Sequence, residues 1–335
     1  MENNNQITKR CPSNIAIVKY WGKYGNQLPK NPSISFTLSN CFTETKIRYQ
    51  ETSDKTTSLD FYFEGKENPA FKAKIEKYLN DNEEHFQFLK GLQLTIESIN
   101  SFPHSSGIAS SASSMSTLVM CLLSIKYKEK EIDLREASML SRLASGSAAR
   151  SVYPTMALWG KTPSLPESSD EFAIPIGDII DPIFKTYHDS ILIVSSKEKS
   201  VSSRAGHSLM NTHPMAENRY ATARKNTEDL LTILKQGDLE GFINIAESEA
   251  NQLHDLMATS TPSYTLKEPN TINIINEVLN FRKETSLPIC YTLDAGPNVH
   301  LLYPDFCSDK VHVFIEDVLK KYCFNNIFID DIVSI

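Results

Sequence analysis

Residues 103–123, PHSSGIASSASSMSTLVMCLL, pass from a serine-rich segment straight into an apolar one. Composition alone would make the segment a flexible linker, but its flanks oppose that reading. Upstream, Leu92, Leu94 and Ile96 of LQLTIESI alternate at strand period, and downstream MSTLVMCLLSIKYK reads as a buried helix of about four turns. Pro103 fixes the turn into the segment, and Gly107 supplies its unusual dihedral. The order is therefore strand, loop, helix. Small residues let the backbone approach a ligand closely. Free N–H groups in the first helical turn, at the positive end of the helix dipole, suit a phosphate, and serine hydroxyls add donors or a Mg²⁺ ligand. No GK[ST] follows, so this is not a Walker A loop, and GxGxxG is absent.

Outward from this stretch, NIAIVKYWGK opens with an apolar run, and KIRYQE and SLDFYFEG read as further strands, the last alternating Leu59, Phe61 and Phe63. NPAFKAKIEKYLND has helical spacing. Asp133 with Glu136 makes a capping-box-like start to LREASMLSRLAS, and SGSAARSVY offers a fresh helix start after Gly146. Beyond residue 180 come a strand SILIVSS, helical stretches from Met215 to Leu253, the helix TINIINEVLNFRKE, a hairpin-like ICYTLDAGPNVHLLY and a last helix KVHVFIEDVLKKY. Strands and helices mix without βα alternation, which predicts an α+β fold. GKTPSLPESSDEF, residues 160–172, is the best boundary candidate by composition, between two intimately packed halves.

The 335 residues, 40% of them hydrophobic, suffice for one large domain or two ordinary ones. A net charge of -7 argues against a nucleic-acid or anionic-membrane binder. An anionic ligand must then find its cations locally. Cys11, Cys41, Cys121, Cys290, Cys307 and Cys323 show no CxxC spacing and the histidines no HExxH, so no protein metal site is expected. MENNNQITKRCPSN lacks the apolar core of a signal peptide, and no run reaches the roughly 18 apolar residues of a membrane span. A cytoplasmic protein with reduced thiols is expected.

Four further segments carry candidate chemistry. Lys19, Tyr20, Trp21 and Lys23 follow an apolar strand, where a solvated turn is the plain alternative to a semi-apolar diphosphate pocket. Ser145, Ser147 and Arg150 gather hydroxyls and a guanidinium on a helix start, against an ordinary small-residue contact with a surface arginine. Asp294, in YTLDAGPNVHLL, sits on a stiff turn at a strand end, facing a ligand or merely turning the chain. Ser203 and Arg204 are an anion contact or a polar helix start.

The pattern Pro103, Gly107, Ile108, Ser110, Ser111, Ala112 resembles the phosphate loop of the GHMP kinase superfamily. Together with NIAIVKYWGK, SGSAARS and DAGPN, in this order, it resembles the diphosphomevalonate decarboxylases, from about residue 12 to the last helix. The resemblance implies a GHMP-kinase-like fold of two domains, ribosomal-S5-domain-2-like over 1–180 and ferredoxin-like over 181–335. It implies ATP-dependent decarboxylation of mevalonate 5-diphosphate to isopentenyl diphosphate, with ATP as co-substrate, Mg²⁺ held largely by ATP phosphates, and a homodimer as an allowed assembly. Asp294 is then the proposed base or orienting acceptor at the 3-hydroxyl, Lys19 its neighbour, and Arg150 a carboxylate clamp. Tyr20, Trp21, Gly22, Lys23, Ser145, Gly146, Ser147, Ala148, Ser203 and Arg204 match substrate-binding stretches. Asn100, Ser105, Ser106, Gly107, Ala109, Ser110 and Ser111 match the nucleotide side. Three departures stand out. Pro154 and Thr155 replace small glycines, ALW at 157–159 replaces an acidic-aromatic pair, and Ala70 stands where a basic diphosphate contact is common, with Lys72 as the expected substitute. The rivals are a kinase that stops at phosphorylation, a decarboxylase of a differently phosphorylated mevalonate, and a non-catalytic small-molecule sensor on the same fold.

Overall fold

The structure is a computed structural model describing residues 5–102, 110–128, 130–197 and 200–332. The chain starts with β1 (Gln6–Val18), a two-strand ribbon of β2 (Lys23–Tyr24) and β3 (Leu28–Pro29), and the long β4 (Ser33–Glu51). Then come β5 (Ser58–Phe63), β6 (Lys66–Glu67), α1 (Pro69–Asp81), β7 (Leu92–Asn100), α2 (Ser110–Tyr127), α3 (Leu134–Ala144), β8 (Ala157–Trp159) and β9 (Ala173–Pro175).

These strands form one sheet in the order β6-β5-β7-β4-β8-β9, with β1 along β4. Only β5 and β7 run parallel, and α1 lies in the crossover that such a pair needs. Asn68 caps α1 by accepting the Phe71 N–H, with Pro69 in the first turn where its missing N–H costs nothing. The β1–β4 register slips between Pro12 and Asn14, a bulge at a residue that cannot donate to the ladder. β1 begins earlier than the apolar run predicted, because Ile7 and Cys11 alternate inward between polar neighbours. α2 is buried on most of its circumference, as the continuous apolar run required.

The second half contributes β10 (Tyr187–Leu192), α4 (Ser203–Leu209), α5 (Ala216–Gln236), α6 (Leu239–Thr259), α7 (Pro269–Thr285), β11 (Cys290–Thr292), β12 (Val299–Pro304), α8 (Ser308–Phe314) and β13 (Phe328–Ile332). Its sheet is antiparallel in the order β11-β12-β10-β13. Gly237, at φ +71°, ends α5, and Asp238 caps α6 through the Gly241 N–H. The last predicted helix continues past α8 through a π turn at Ile315–Leu319.

The halves share a core. Phe36 of β4 lies 5.7 Å ring to ring from both Tyr187 of β10 and Phe242 of α6, amid apolar residues of both sheets. Buried Asp331 of β13 accepts the Asn40 and Cys41 N–H groups of β4 at 2.8 and 2.7 Å. All six cysteines are buried and unpaired, and no described helix is long and apolar enough to cross a membrane.

Three local expectations need correction. Residues 160–172 join β8 to its hydrogen-bonded neighbour β9, so they are no domain boundary. We propose 1–180 and 181–335 as the domains, since the two sheets separate there. The stretch after Ser145 is a 3₁₀ turn, Gly146–Ala149, rather than an α-helix start. Asp133 does cap α3, but Glu136 turns to Lys126 and Tyr127 instead of closing the box.

Candidate active site

One cavity of about 570 Å³ gathers segments remote in sequence: the end of β1, the start of α2, the 3₁₀ turn after Ser145, the start of α4 and the β11–β12 turn. Lys19, Arg150 and Asp294 line it, as do Tyr20, Trp21, Lys23, Ser145, Gly146, Ser147, Ser203, Arg204, Ser110 and Ser111. Ala148 does not, because its methyl packs into the core of the first sheet. Gly22 serves the wall from behind: at φ +91° its N–H donates to His207 Nδ1, and a Cβ there would stand 2.3 Å from the Tyr220 hydroxyl. Asn100 ends β7 outside the cavity lining, its Oδ1 accepting from Thr43 at 2.8 Å. Ser105, Ser106, Gly107 and Ala109 lie outside the described residues.

At the cavity floor, Lys19 is 2% exposed and donates from Nζ to the Ala16 carbonyl (2.5 Å) and to Asp294 Oδ1 (3.1 Å). Burial lowers its pKa, and the carboxylate of Asp294 opposes that shift. The turn bearing Asp294 is stiffened from several sides: Gly296 N–H donates to the Asp294 carbonyl, Thr271 Oγ1 to that of Pro297, and His254 Nε2 to that of Asp294 (3.0 Å). Arg150 is likewise buried rather than on the surface. Its Nε and Nη1 donate to Ser35 and Ser33 of β4, and Nη2 to Asn14 Oδ1 of β1. Neutral partners fix the plane of the guanidinium. Burial lowers its pKa to about 10, and the charge of Asp294 works against the shift.

A second group of lining residues, Lys23, Lys74 and Arg204, is cationic. Burial and the nearby Arg204 both lower the pKa values of Lys23 and Lys74, as expected where positive groups converge. An anion of more than one charge would relieve that repulsion. Lys74 corrects the expectation for Lys72, which pairs with exposed Asp60 at 3.1 Å and is absent from the lining. Two positions along a helix do not share a face.

Sequence reasoning missed the support behind the motif. Fully buried Glu249 of α6 accepts the Lys19 N–H (2.8 Å), both terminal nitrogens of Arg219 (2.8 and 2.5 Å) and Asn226 Nδ2 (2.6 Å). Arg219 of α5 also donates to the Lys19 carbonyl at 3.2 Å. His207 lies 4.4 Å from the Tyr20 ring and 4.6 Å from Trp21, and Trp159 backs Tyr20 at 4.7 Å. Gly206 admits Trp21, for a Cβ there would lie 2.4 Å from the indole. Glu249 and Arg219 stand in no short motif.

Residues 11–172 match the diphosphomevalonate decarboxylase-like N-terminal domain, and residues 190–332 the mevalonate 5-diphosphate decarboxylase C-terminal domain. The crystal structure of a mevalonate diphosphate decarboxylase from Legionella pneumophila is 30% identical, with a TM-score of 0.80, over 97% of this chain and 99% of that one. The chain belongs to the diphosphomevalonate decarboxylase family. Another decarboxylase of known structure, from Staphylococcus aureus, is 27% identical with a TM-score of 0.85, over 99% of this chain and 97% of its own. The diphosphomevalonate decarboxylase of Candida albicans is 29% identical over 90% of this chain and 85% of its own length. The two-domain α+β architecture is thus that of the solved decarboxylases. Lys19 and Asp294, paired across 275 residues, come one from each matched region.

Proposed function

We propose that the chain catalyses ATP-dependent decarboxylation of mevalonate 5-diphosphate to isopentenyl diphosphate, releasing ADP, phosphate and CO₂. The observation that carries this reading is the division of one cavity into a Lys19–Asp294–Arg150 floor and a Lys23–Lys74–Arg204 cationic side. A substrate with a diphosphate at one end and a carboxylate at the other suits both.

The tertiary 3-hydroxyl is a poor leaving group, so it is phosphorylated before it departs. Asp294 orients that hydroxyl or takes its proton, and Lys19 holds the Asp294 carboxylate in place. Departure of the 3-phosphate leaves positive character at C3. Loss of the C1 carboxylate as CO₂ then supplies the electrons of the alkene. Arg150 contributes orientation rather than simple ground-state pairing, which would accelerate nothing. Its three fixed partners support that role.

The nucleotide is assigned to the α2 side, where Ser110 and Ser111 open an 18-residue helix whose first-turn N–H groups suit a phosphate. Asn100, Ser105, Ser106, Gly107 and Ala109 complete that assignment. Among the described lining residues Asp294 is the one carboxylate, which fits Mg²⁺ held mainly by ATP oxygens with serine hydroxyls in reach. Bound there, Mg²⁺ supplies charge neutralisation of the triphosphate. The six unpaired thiols support a cytoplasmic location, which fractionation would test. A homodimer is compatible with this reading. Light scattering tests it.

The test of the activity is release of ADP and CO₂ with mevalonate, its 5-phosphate and its 5-diphosphate. Matched release, fastest with the diphosphate, is expected. ADP without CO₂ would make the protein a kinase, and faster turnover of unphosphorylated mevalonate would overturn the substrate assignment.

A further inference from the structure

The geometry points to a second site, apart from the catalytic cavity, in which His188, His312 and Asp330 bind a borderline divalent cation of the Zn²⁺ type. His188 lies on β10, Asp330 on the neighbouring β13, and His312 on α8. One ligand atom from each lies within 4.8 Å of the other two. His312 Nε2 and Asp330 Oδ2 are 3.2 Å apart, close to the ~3.3 Å ligand-to-ligand edge of a tetrahedral site with bonds near 2.0 Å. None of the three lines the catalytic cavity.

The hydrogen-bonding of the three ligands leaves the needed lone pairs over. His188 Nε2 donates to Asp305 Oδ1 at 2.9 Å, which fixes the tautomer and leaves Nδ1 as the lone-pair nitrogen. The His188 side chain is 9% exposed, and Nδ1 has no hydrogen-bond partner in the protein. His312 Nε2 makes no well-directed hydrogen bond, and its near neighbour is the Asp330 carboxylate at 3.2 Å. An unpartnered buried Nδ1 is unfavourable, and a cation would satisfy it while sharing the Asp330 carboxylate with His312. Asp330 Oδ1 accepts from Ser190 Oγ (2.9 Å) and the Tyr303 hydroxyl (3.3 Å), leaving Oδ2 to ligate. Tyr303 also stacks on His188 at 5.1 Å and 7°, holding the ring in plane. Two imidazoles and one carboxylate favour Zn²⁺ over Mg²⁺. The side chains of His312 and Asp330 are 42% and 35% exposed, so the remaining coordination position opens to water. Bound metal would clip α8 to β10 and β13, and β13 in turn carries the Asp331 clamp on β4. The effect is on stability, with no part in the decarboxylation.

The test is titration of the full chain, freed of trace metal and held in Mg²⁺, with Zn²⁺ by calorimetry and with Co²⁺ by visible absorption. One equivalent should bind, and His312→Ala should weaken binding at least tenfold, with Asp330→Asn weakening it too. Zn²⁺ should raise the melting midpoint of the unaltered protein but not of His312→Ala, while turnover with Mg²⁺-ATP stays equal in both. Absence of binding would overturn the proposal. So would equal binding by the parent and both variants, which would place the metal on cysteines or other histidines.

Discussion

Acid should dismantle the substrate wall through His207, by an amount that the structure sets. Burial, and next the charge of Lys23, push the His207 pKa from 6.5 down to about 3. Its neutral Nδ1 accepts the Gly22 N–H at 2.9 Å, which a protonated ring cannot do. The folded pKa lies below the unfolded one, so the unfolded chain takes up the proton first. The contribution is complete above pH 6.5 and is lost as pH falls towards about 3. Between pH 7.5 and 4.5 the loss is on the order of 2–3 kcal/mol. His254, lowered to about 4 by burial and then by Lys267, should lose a contribution of the same order over that range. His207→Asn supplies an acceptor that does not titrate. Carboxylate protonation acts on both proteins alike, so the difference between their urea-unfolding profiles at a series of pH values isolates His207. The parent should lose ~2–3 kcal/mol more than the variant on acidification. Parallel profiles would show that His207 is not held neutral in the fold and would refute the argument.

Asp294→Asn keeps the turn but removes the charge and the proton acceptor, so ADP and CO₂ release should fall together by roughly 10² to 10⁴ while ATP affinity persists. Normal ADP release without CO₂ would confine the residue to the second step. Arg150→Lys should fold yet lose about 10² or more in kcat, because a point charge cannot make three fixed contacts to Ser33, Ser35 and Asn14 and still present a plane to the carboxylate. Steady-state kinetics on folded protein decides it. Lys74→Met should raise the KM for the diphosphate substrate about tenfold or more, and Lys72→Met should leave it unchanged, the reverse result restoring Lys72 to the site. Glu249→Gln should cost ~3–5 kcal/mol in urea unfolding by stranding buried Arg219, whereas the paired change Arg219→Met with Glu249→Leu should cost less than the single one. A double variant as unstable as the sum of the singles would remove the ion pair from the account.

What could be read in the chain beforehand was whatever is built over short distances. The strand at 92–100 and the helix at 110–127, the helix at 69–81 and the β11–β12 hairpin depend on periodicity and turn chemistry carried within each segment. Arg150 and Asp294 stand beside small or turn-forming residues, Lys19 follows the apolar strand β1 directly, and one cavity gathers all three. The misreadings share one cause. β8 and β9 are three residues each and exist because β4 offers an edge, and the polar loop between them looks like a boundary until its ends are paired. Lys72 and Lys74 differ only in helical phase, which Ile75, Tyr78 and Leu79 fix by turning inward.

Glu249 and Arg219 lie on charged helices, where the ordinary expectation for such residues is solvent, and only the docking of α5 and α6 behind β1 buries them against the Lys19 backbone. That difference has a physical origin. A phosphate bound by backbone N–H groups requires consecutive residues, so its signature is a local string. A buried lysine that must stay charged requires counter-charge and hydrogen-bond acceptors from whatever packs against it, and these can come from any point in the chain. In this protein the two carboxylates that support Lys19 come from 230 and 275 residues away, so the motif carries the local signal while the tertiary fold supplies the charge balance that the buried lysine needs.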